Sequence, residues 1–176
     1  KTGAGAALLS RPVLAVEIAR AAREGGGVPV TVKLRSGLEP GGREGVELAL
    51  RLVADAGVAA IAFHPRTAAT QHKGEPDYAL ARELVERLEA PMIISGPVII
   101  SGGLDTSEDA RRAYEESGAD AVMIARGSLG NPWIFEELTG RRAEQPSREE
   151  MVAELLWVVA RAEEQHARVG HALAGD

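Results

Sequence analysis

Three observations predict an α/β fold with parallel strands, specifically half of a TIM (β/α)8 barrel. Helical and strand patterns alternate along the chain with short turns between them, and the strand segments lack the polar alternation of a half-exposed sheet. The repeat is also near-regular, with 31 residues from Val28 to Ala59. Four strands can be read in 176 residues, where a complete barrel needs about 250. The expectation is therefore a C-terminal half-barrel over residues 1–140, followed at 141–176 by a linker and the first helix of a truncated helical domain.

Ser10 reads as the N-cap of a first helix, with Pro12 in its first turn and Leu14, Ile18, Ala21 and Ala22 forming its apolar stripe. Gly25, Gly26 and Gly27 end it. Val28–Arg35 is β-branched and largely apolar, as expected of a strand buried on both faces, with Lys33 and Arg35 at its C-terminal end. After a glycine-rich turn, Val46, Ala49, Leu50 and Val53 mark a second helix closed by Gly57, and Ala59–Phe63 reads as the second strand. His64-Pro65-Arg66-Thr67 leaves that strand into a loop through Lys73-Gly74-Glu75. The third helix starts near Asp77 and buries Ala81, Leu84, Val85 and Leu88.

A tandem repeat follows, Met92-Ile93-Ile94-Ser95-Gly96-Pro97 and then Val98-Ile99-Ile100-Ser101-Gly102-Gly103. Only the second copy leads straight into a capped helix, with Asp105 and Glu108 at capping-box spacing, so the strand end is assigned to Ser101-Gly102-Gly103. The alternatives are a strand in the first copy, two copies competing in register, or a duplication absorbed in a loop. A helix with Ala110, Ala113 and Tyr114 ends at Ser117-Gly118. Ala121–Ile124 then reads as a buried strand running into Arg126-Gly127-Ser128, a turn able to aim backbone N–H groups at an anion. Ser147 and Glu150 form a capping box for a last helix, whose stripe of Val152, Leu155, Leu156 and Val159 has no partner left in the chain.

Twenty basic against 26 acidic residues give a net charge of −6, which opposes broad nucleic-acid binding and leaves room only for a local basic patch. The absence of cysteine excludes disulfides, thiolate metal sites and a cysteine nucleophile within these residues, and no metal site is expected. No apolar run approaches the ~20 residues of a membrane span and no signal-peptide pattern opens the chain, so a soluble cytoplasmic protein is expected. Lys1 opens in mid-phrase, as if the chain were cut from a longer one.

In a β/α barrel the C-terminal strand ends face the active site. Lys33, Arg35, His64, Arg66, Ser101, Gly102, Gly103 and Arg126 fall there, and five of them can be cationic, so the expected ligand is anionic. Each also has a structural reading: Lys33 and Arg35 as solvated charges, His64 as a core histidine, Arg126 as the partner of a nearby acid. Their recurrence at one end of successive strands argues for the site.

The run Val30-Thr31-Val32-Lys33-Leu34-Arg35-Ser36-Gly37, the phrase His64-Pro65-Arg66-Thr67 with Lys73-Gly74, the turn Ser101–Gly103, and Ile124-Ala125-Arg126-Gly127 leading to Asn131-Pro132-Trp133-Ile134-Phe135 together resemble the tRNA-dihydrouridine synthases, closest to the bacterial B-type branch. The resemblance implies an FMN-bound barrel that reduces a tRNA uridine to 5,6-dihydrouridine, with NADPH as reductant. It implies that Lys33 and His64 touch the flavin, that Ser101, Gly102, Gly103, Ala125 and Arg126 hold its phosphate, and that Arg35, Arg66 and Lys73 face the tRNA. The family's proton-donating cysteine would lie upstream of Lys1, and Ala125 stands where a glycine is usual. The chain is accordingly expected to lack a catalytic residue of its own and to need a missing N-terminal half-barrel for activity. Another phosphate-binding barrel enzyme, or a non-catalytic RNA-binding or assembly remnant, is the alternative.

Overall fold

The computed structural model describes residues 3–89 and 97–173 and divides into two compact units, Lys1–Leu138 and Thr139–Asp176. The first unit holds helices α1 (Pro12–Gly26), α2 (Glu44–Ala56), α3 (Tyr78–Glu89), α4 (Ser107–Ser117) and α5 (Ile134–Leu138). Between them run strands β1 (Thr31–Arg35), β2 (Ala60–His64), β3 (Val98–Ser101) and β4 (Ala121–Met123), and 3-10 turns cover Gly5–Ser10 and Arg126–Ser128. The strands form one parallel sheet in chain order, with Lys33 beside Ala62, Arg35 beside His64 and Ser101 beside Met123. This is an α/β arrangement consistent with part of a TIM barrel.

Side chains alternate across a strand, so the sheet has two faces of different composition. Leu34, Ile61, Phe63, Val98 and Ile100 join the buried core with α2, α3 and α4. The opposite face carries Thr31, Lys33, Arg35, Ala60, Ala62, His64 and Ser101. The sequence predicts strands buried on both faces, and only β2 is buried throughout. β1 alternates, with Thr31 and Lys33 exposed, and β4 is not buried. The reason is position: β1 and β4 end the sheet among the described residues, whereas β2 has a neighbour on each side.

The helix ends follow local chemistry, with three departures from expectation. Ser10 does not cap α1. It lies in the preceding 3-10 turn, its hydroxyl donating to the Ala7 carbonyl, and Arg11 takes the N-cap position. The buried stripe of α1 is Ala15, Val16 and Ala19, rotated from the expected one, leaving Leu14 and Ile18 exposed. The small residues allow close approach to α2, where Arg20 and Arg23 donate to the terminal carbonyls of Asp55 and Ala56. The capping box of α4 is Thr106 with Asp109, one residue beyond the predicted pair: Asp109 N donates to Thr106 Oγ1, and Thr106 N donates to the Asp109 carboxylate. α3 opens as expected, with Asp77 accepting from Leu80 N at 2.9 Å. The second copy of the tandem repeat forms β3, and the first copy lies outside the described residues.

The second unit contains α6 (Arg148–Leu173). Its capping box forms as predicted: Glu150 N donates to Ser147 Oγ at 3.2 Å, and Ser147 N donates to the Glu150 carboxylate at 2.8 Å. The Arg142 guanidinium and then the Ser147 N–H hold the Glu150 carboxyl down at about 2. Val152, Leu155, Leu156 and Val159 are all exposed.

Candidate functional site

A cleft of about 760 Å³ opens at the C-terminal ends of the strands and continues around β1. Its polar end is bordered by Lys33, Arg35, His64, His72, Ser101–Asp105, Ala125 and Arg126. Its other end is apolar, with Leu8, Ile18, Val30 and Val32. Of the residues singled out from sequence, Lys33, Arg35, His64, Ser101, Gly102, Gly103, Ala125 and Arg126 border this one cleft, and Arg66 and Lys73 do not.

The strands and the loop after β2 place the polar side chains. The Lys33 ammonium donates to Ser101 Oγ at 2.7 Å, and Ser101 Oγ donates to the Phe63 carbonyl at 3.3 Å. Arg35 donates to the Thr67 and Gln71 carbonyls at 3.1 and 2.7 Å. Arg66, buried, grips the Gly74 carbonyl through Nε and Nη2 at 3.1 and 2.7 Å. Two arginines are thus committed to shaping the loop between β2 and α3. Lys73 lies in that loop, exposed.

His64 is 6% exposed, and its Nε2 has no hydrogen-bond partner. Burial, followed by the charges of Arg35, Lys33, Arg66 and His72, pushes it down to about 3, so the imidazole is neutral at physiological pH. Lys33 is also pulled below the ordinary lysine value, first by partial desolvation and then by Arg35, although its side chain keeps solvent contact. A cluster of cations facing one cleft in a chain of net charge −6 is a local field suited to an anion.

The glycines explain how backbone approaches this field. Gly102 has φ +96°, and a Cβ there would stand 2.2 Å from His64 Nε2. Gly103 has φ +73°, and its Cβ would meet Pro76 at 2.8 Å. Gly127 packs against the Leu104 carbonyl, 2.3 Å from where a Cβ would sit. The turns after β3 and β4 therefore abut, and only glycine fits their contact. Ala125 has a negative φ of −112°, and its carbonyl accepts from Ser128 Oγ at 2.8 Å. Arg126 is exposed and has no ion-pair partner among the described residues, which removes the reading of it as half of a structural pair.

Comparison with known proteins places this geometry in a lineage. The sequence model of the dihydrouridine synthases matches residues 1–173. The chain belongs to the dihydrouridine synthase family. It is 38% identical over 135 residues to tRNA-dihydrouridine synthase B of Shewanella oneidensis, a match covering 77% of this chain and 40% of the relative. The corresponding protein of Vibrio parahaemolyticus is 41% identical over the same shares. A probable tRNA-dihydrouridine synthase of Treponema pallidum is 39% identical over 142 residues, covering 78% of this chain and 41% of the relative. The chain thus spans about 40% of the length of the curated relatives it matches.

Several residues in and around this cleft escape a reading of the sequence. His72 borders the cleft and stacks on His64, ring centroids 6.2 Å apart, from eight residues further along the chain. Tyr78 OH donates to the Gly102 carbonyl at 3.3 Å, bracing the glycine turn from α3. Ala62 lies in register with Lys33 and is buried. A second histidine in the same loop is the one signal the sequence offers for any of these. No group of three or more His, Cys, Asp or Glu that could hold a metal ion occurs among the described residues. No described helix is long and apolar enough to cross a membrane.

Proposed function

We propose that the cleft is the flavin seat of a tRNA-dihydrouridine synthase, holding FMN for the NADPH-dependent reduction of a tRNA uridine to 5,6-dihydrouridine. The observation that carries this reading is the meeting of Lys33, His64 and Arg126 with the Gly102–Gly103 turn around one cleft, with Gly127 packed against Leu104 and Asp105 beside it. The residues present fit FMN in two respects: the turns leave no room for a Cβ beside His64, and the Lys33 ammonium and the exposed Arg126 guanidinium supply positive charge for an electron-rich ring and a phosphate. When bound, the flavin supplies the hydride for C6 of the uracil and is reloaded by NADPH.

The residues of this chain have separate tasks in that reading. Lys33 gives a fixed positive charge to the ring system, and neutral His64 contacts it without adding charge. Arg126, with backbone N–H groups of residues 101–103 and 125, takes the phosphate. Arg35 and Arg66 hold the loop on the RNA side, where exposed Lys73 is free to meet tRNA phosphates. With no cysteine in the sequence, these residues offer no thiol to protonate C5, so they bind flavin without completing the reduction alone.

Titration of the chain with FMN, followed by quenching of flavin fluorescence, tests the proposal. Saturable binding that weakens about tenfold or more in Lys33→Ala and in Arg126→Ala is expected. Absence of FMN binding together with tight binding of a small phosphorylated sugar would replace the reading with that of another phosphate-binding barrel enzyme. Salt-sensitive tRNA binding without any flavin binding would leave an RNA-binding module.

A further inference from the structure

We propose that Ser101 is a positioning residue that fixes the Lys33 ammonium above the sheet, through a relay from Lys33 Nζ to Ser101 Oγ and on to the Phe63 carbonyl. This deepens the flavin-seat reading and rests on it. Lys33 stands on β1, yet its acceptor lies two strands away on β3, at 2.7 Å. Neighbouring strands are about 4.8 Å apart, so the side chain must lean across β2 to cover roughly 10 Å. What lies in its path is Ala62, the in-register partner of Lys33, which is itself paired with Ile99, two residues before Ser101. A branched side chain at position 62 would stand in that path.

The acceptor is fixed as well. Ser101 is 5% exposed, and its one proton is directed to the Phe63 carbonyl at 3.3 Å. Its lone pairs are thereby left to the ammonium, and Ser101 Oγ is the only described hydrogen-bond acceptor of Lys33 Nζ. Among the described residues no carboxylate lies within ion-pair distance of the Lys33 ammonium. Arg35 from the same strand, His64 from β2, His72 from the loop and Arg126 after β4 border the same cleft, and among the described residues Asp105 is the only acid that does. Desolvation and the Arg35 charge disfavour the protonated form of Lys33, and a hydrogen bond from the ammonium to Ser101 Oγ favours that form.

The sequence contains three lysines, Lys1, Lys33 and Lys73, which makes a direct measurement practical. Reductive 13C-methylation and an NMR pH titration of the flavin-free chain would follow the Lys33 signal in wild type, Ser101→Ala and Ser101→Thr. Ser101→Ala is expected to move the Lys33 midpoint further down and to weaken FMN binding about tenfold, with Ser101→Thr restoring both. Ala62→Val, acting from another strand, is expected to produce the same two changes as Ser101→Ala and serves if that variant does not fold. An unmoved Lys33 midpoint in the folded variants, or failure of Ser101→Thr to restore it, would overturn the relay. A midpoint that moves in a wild-type background that binds no FMN would uphold the relay and remove the flavin reading instead.

Discussion

The two faces of the sheet are built on opposite terms. On one, Phe63, Ile61 and Ile100 are completely buried beneath the helices, and large side chains fill the space. On the other, Ala60 and Ala62 are small, and Lys33, Arg35 and His64 stand at the strand ends. The same strand β2 serves both, since Phe63 and His64 are neighbours in sequence and point opposite ways. The first face makes stability by volume, and the second makes a field by leaving volume out. A substitution should therefore damage folding or binding according to the face it strikes.

The largest effect is expected from Phe63→Ala, which empties a fully buried site and should cost about 3–5 kcal/mol in chemical denaturation. Its Lys33 titration and FMN affinity, measured while the chain is folded, should change far less. Gly102→Ala strikes the junction of the faces. A left-handed φ and a Cβ 2.2 Å from His64 should cost on the order of 1–3 kcal/mol and abolish FMN binding together. If that variant binds FMN normally, the glycine turn is not the cradle proposed for it.

An acid titration sharpens the contrast further. His64 falls from 6.5 to about 3 on folding, so the unfolded chain binds the proton more readily. The stability this group contributes is fully present above pH 6.5 and is lost as pH falls from there toward about 3. His64→Gln should flatten that limb of the melting-temperature profile, whereas a profile parallel to wild type would show that His64 is not held neutral by the fold. The smallest effect on folding is expected from Arg126→Gln. This exposed, unpaired residue should leave stability within about 0.5 kcal/mol, while FMN affinity drops about tenfold.

Much of the site was legible in the residues because a parallel strand delivers its last side chains to a known end. Lys33, His64 and Ser101 could be placed at one end by counting alone, and glycines at 102 and 103 mark a backbone that must turn tightly. What counting could not show is the partner of each group. Ser101 lies 68 residues from Lys33, and nothing in either segment signals their hydrogen bond. Arg35 and Arg66 have the composition of ligand-binding residues, yet each is committed to carbonyls of the loop between β2 and α3.

The helix boundaries divide in the same way. Caps at Asp77 and Ser147 follow from a side chain and a backbone N–H three residues apart, which is local chemistry that sequence determines. The buried face of α1 does not: Leu14 and Ile18 are the larger apolar residues, but the close approach of α2 selects Ala15, Val16 and Ala19. By itself the sequence determined the order of strands and helices, the turns that require glycine, and which charges gather at the strand ends. Periodicity and backbone sterics act within a few residues, and that is sufficient for those features. Only the tertiary structure decided which face of β1 stays open, that His72 stacks on His64, and that the Lys33 ammonium crosses a strand to Ser101. Those contacts join segments distant in sequence, and their energies exist only once the sheet has set its register.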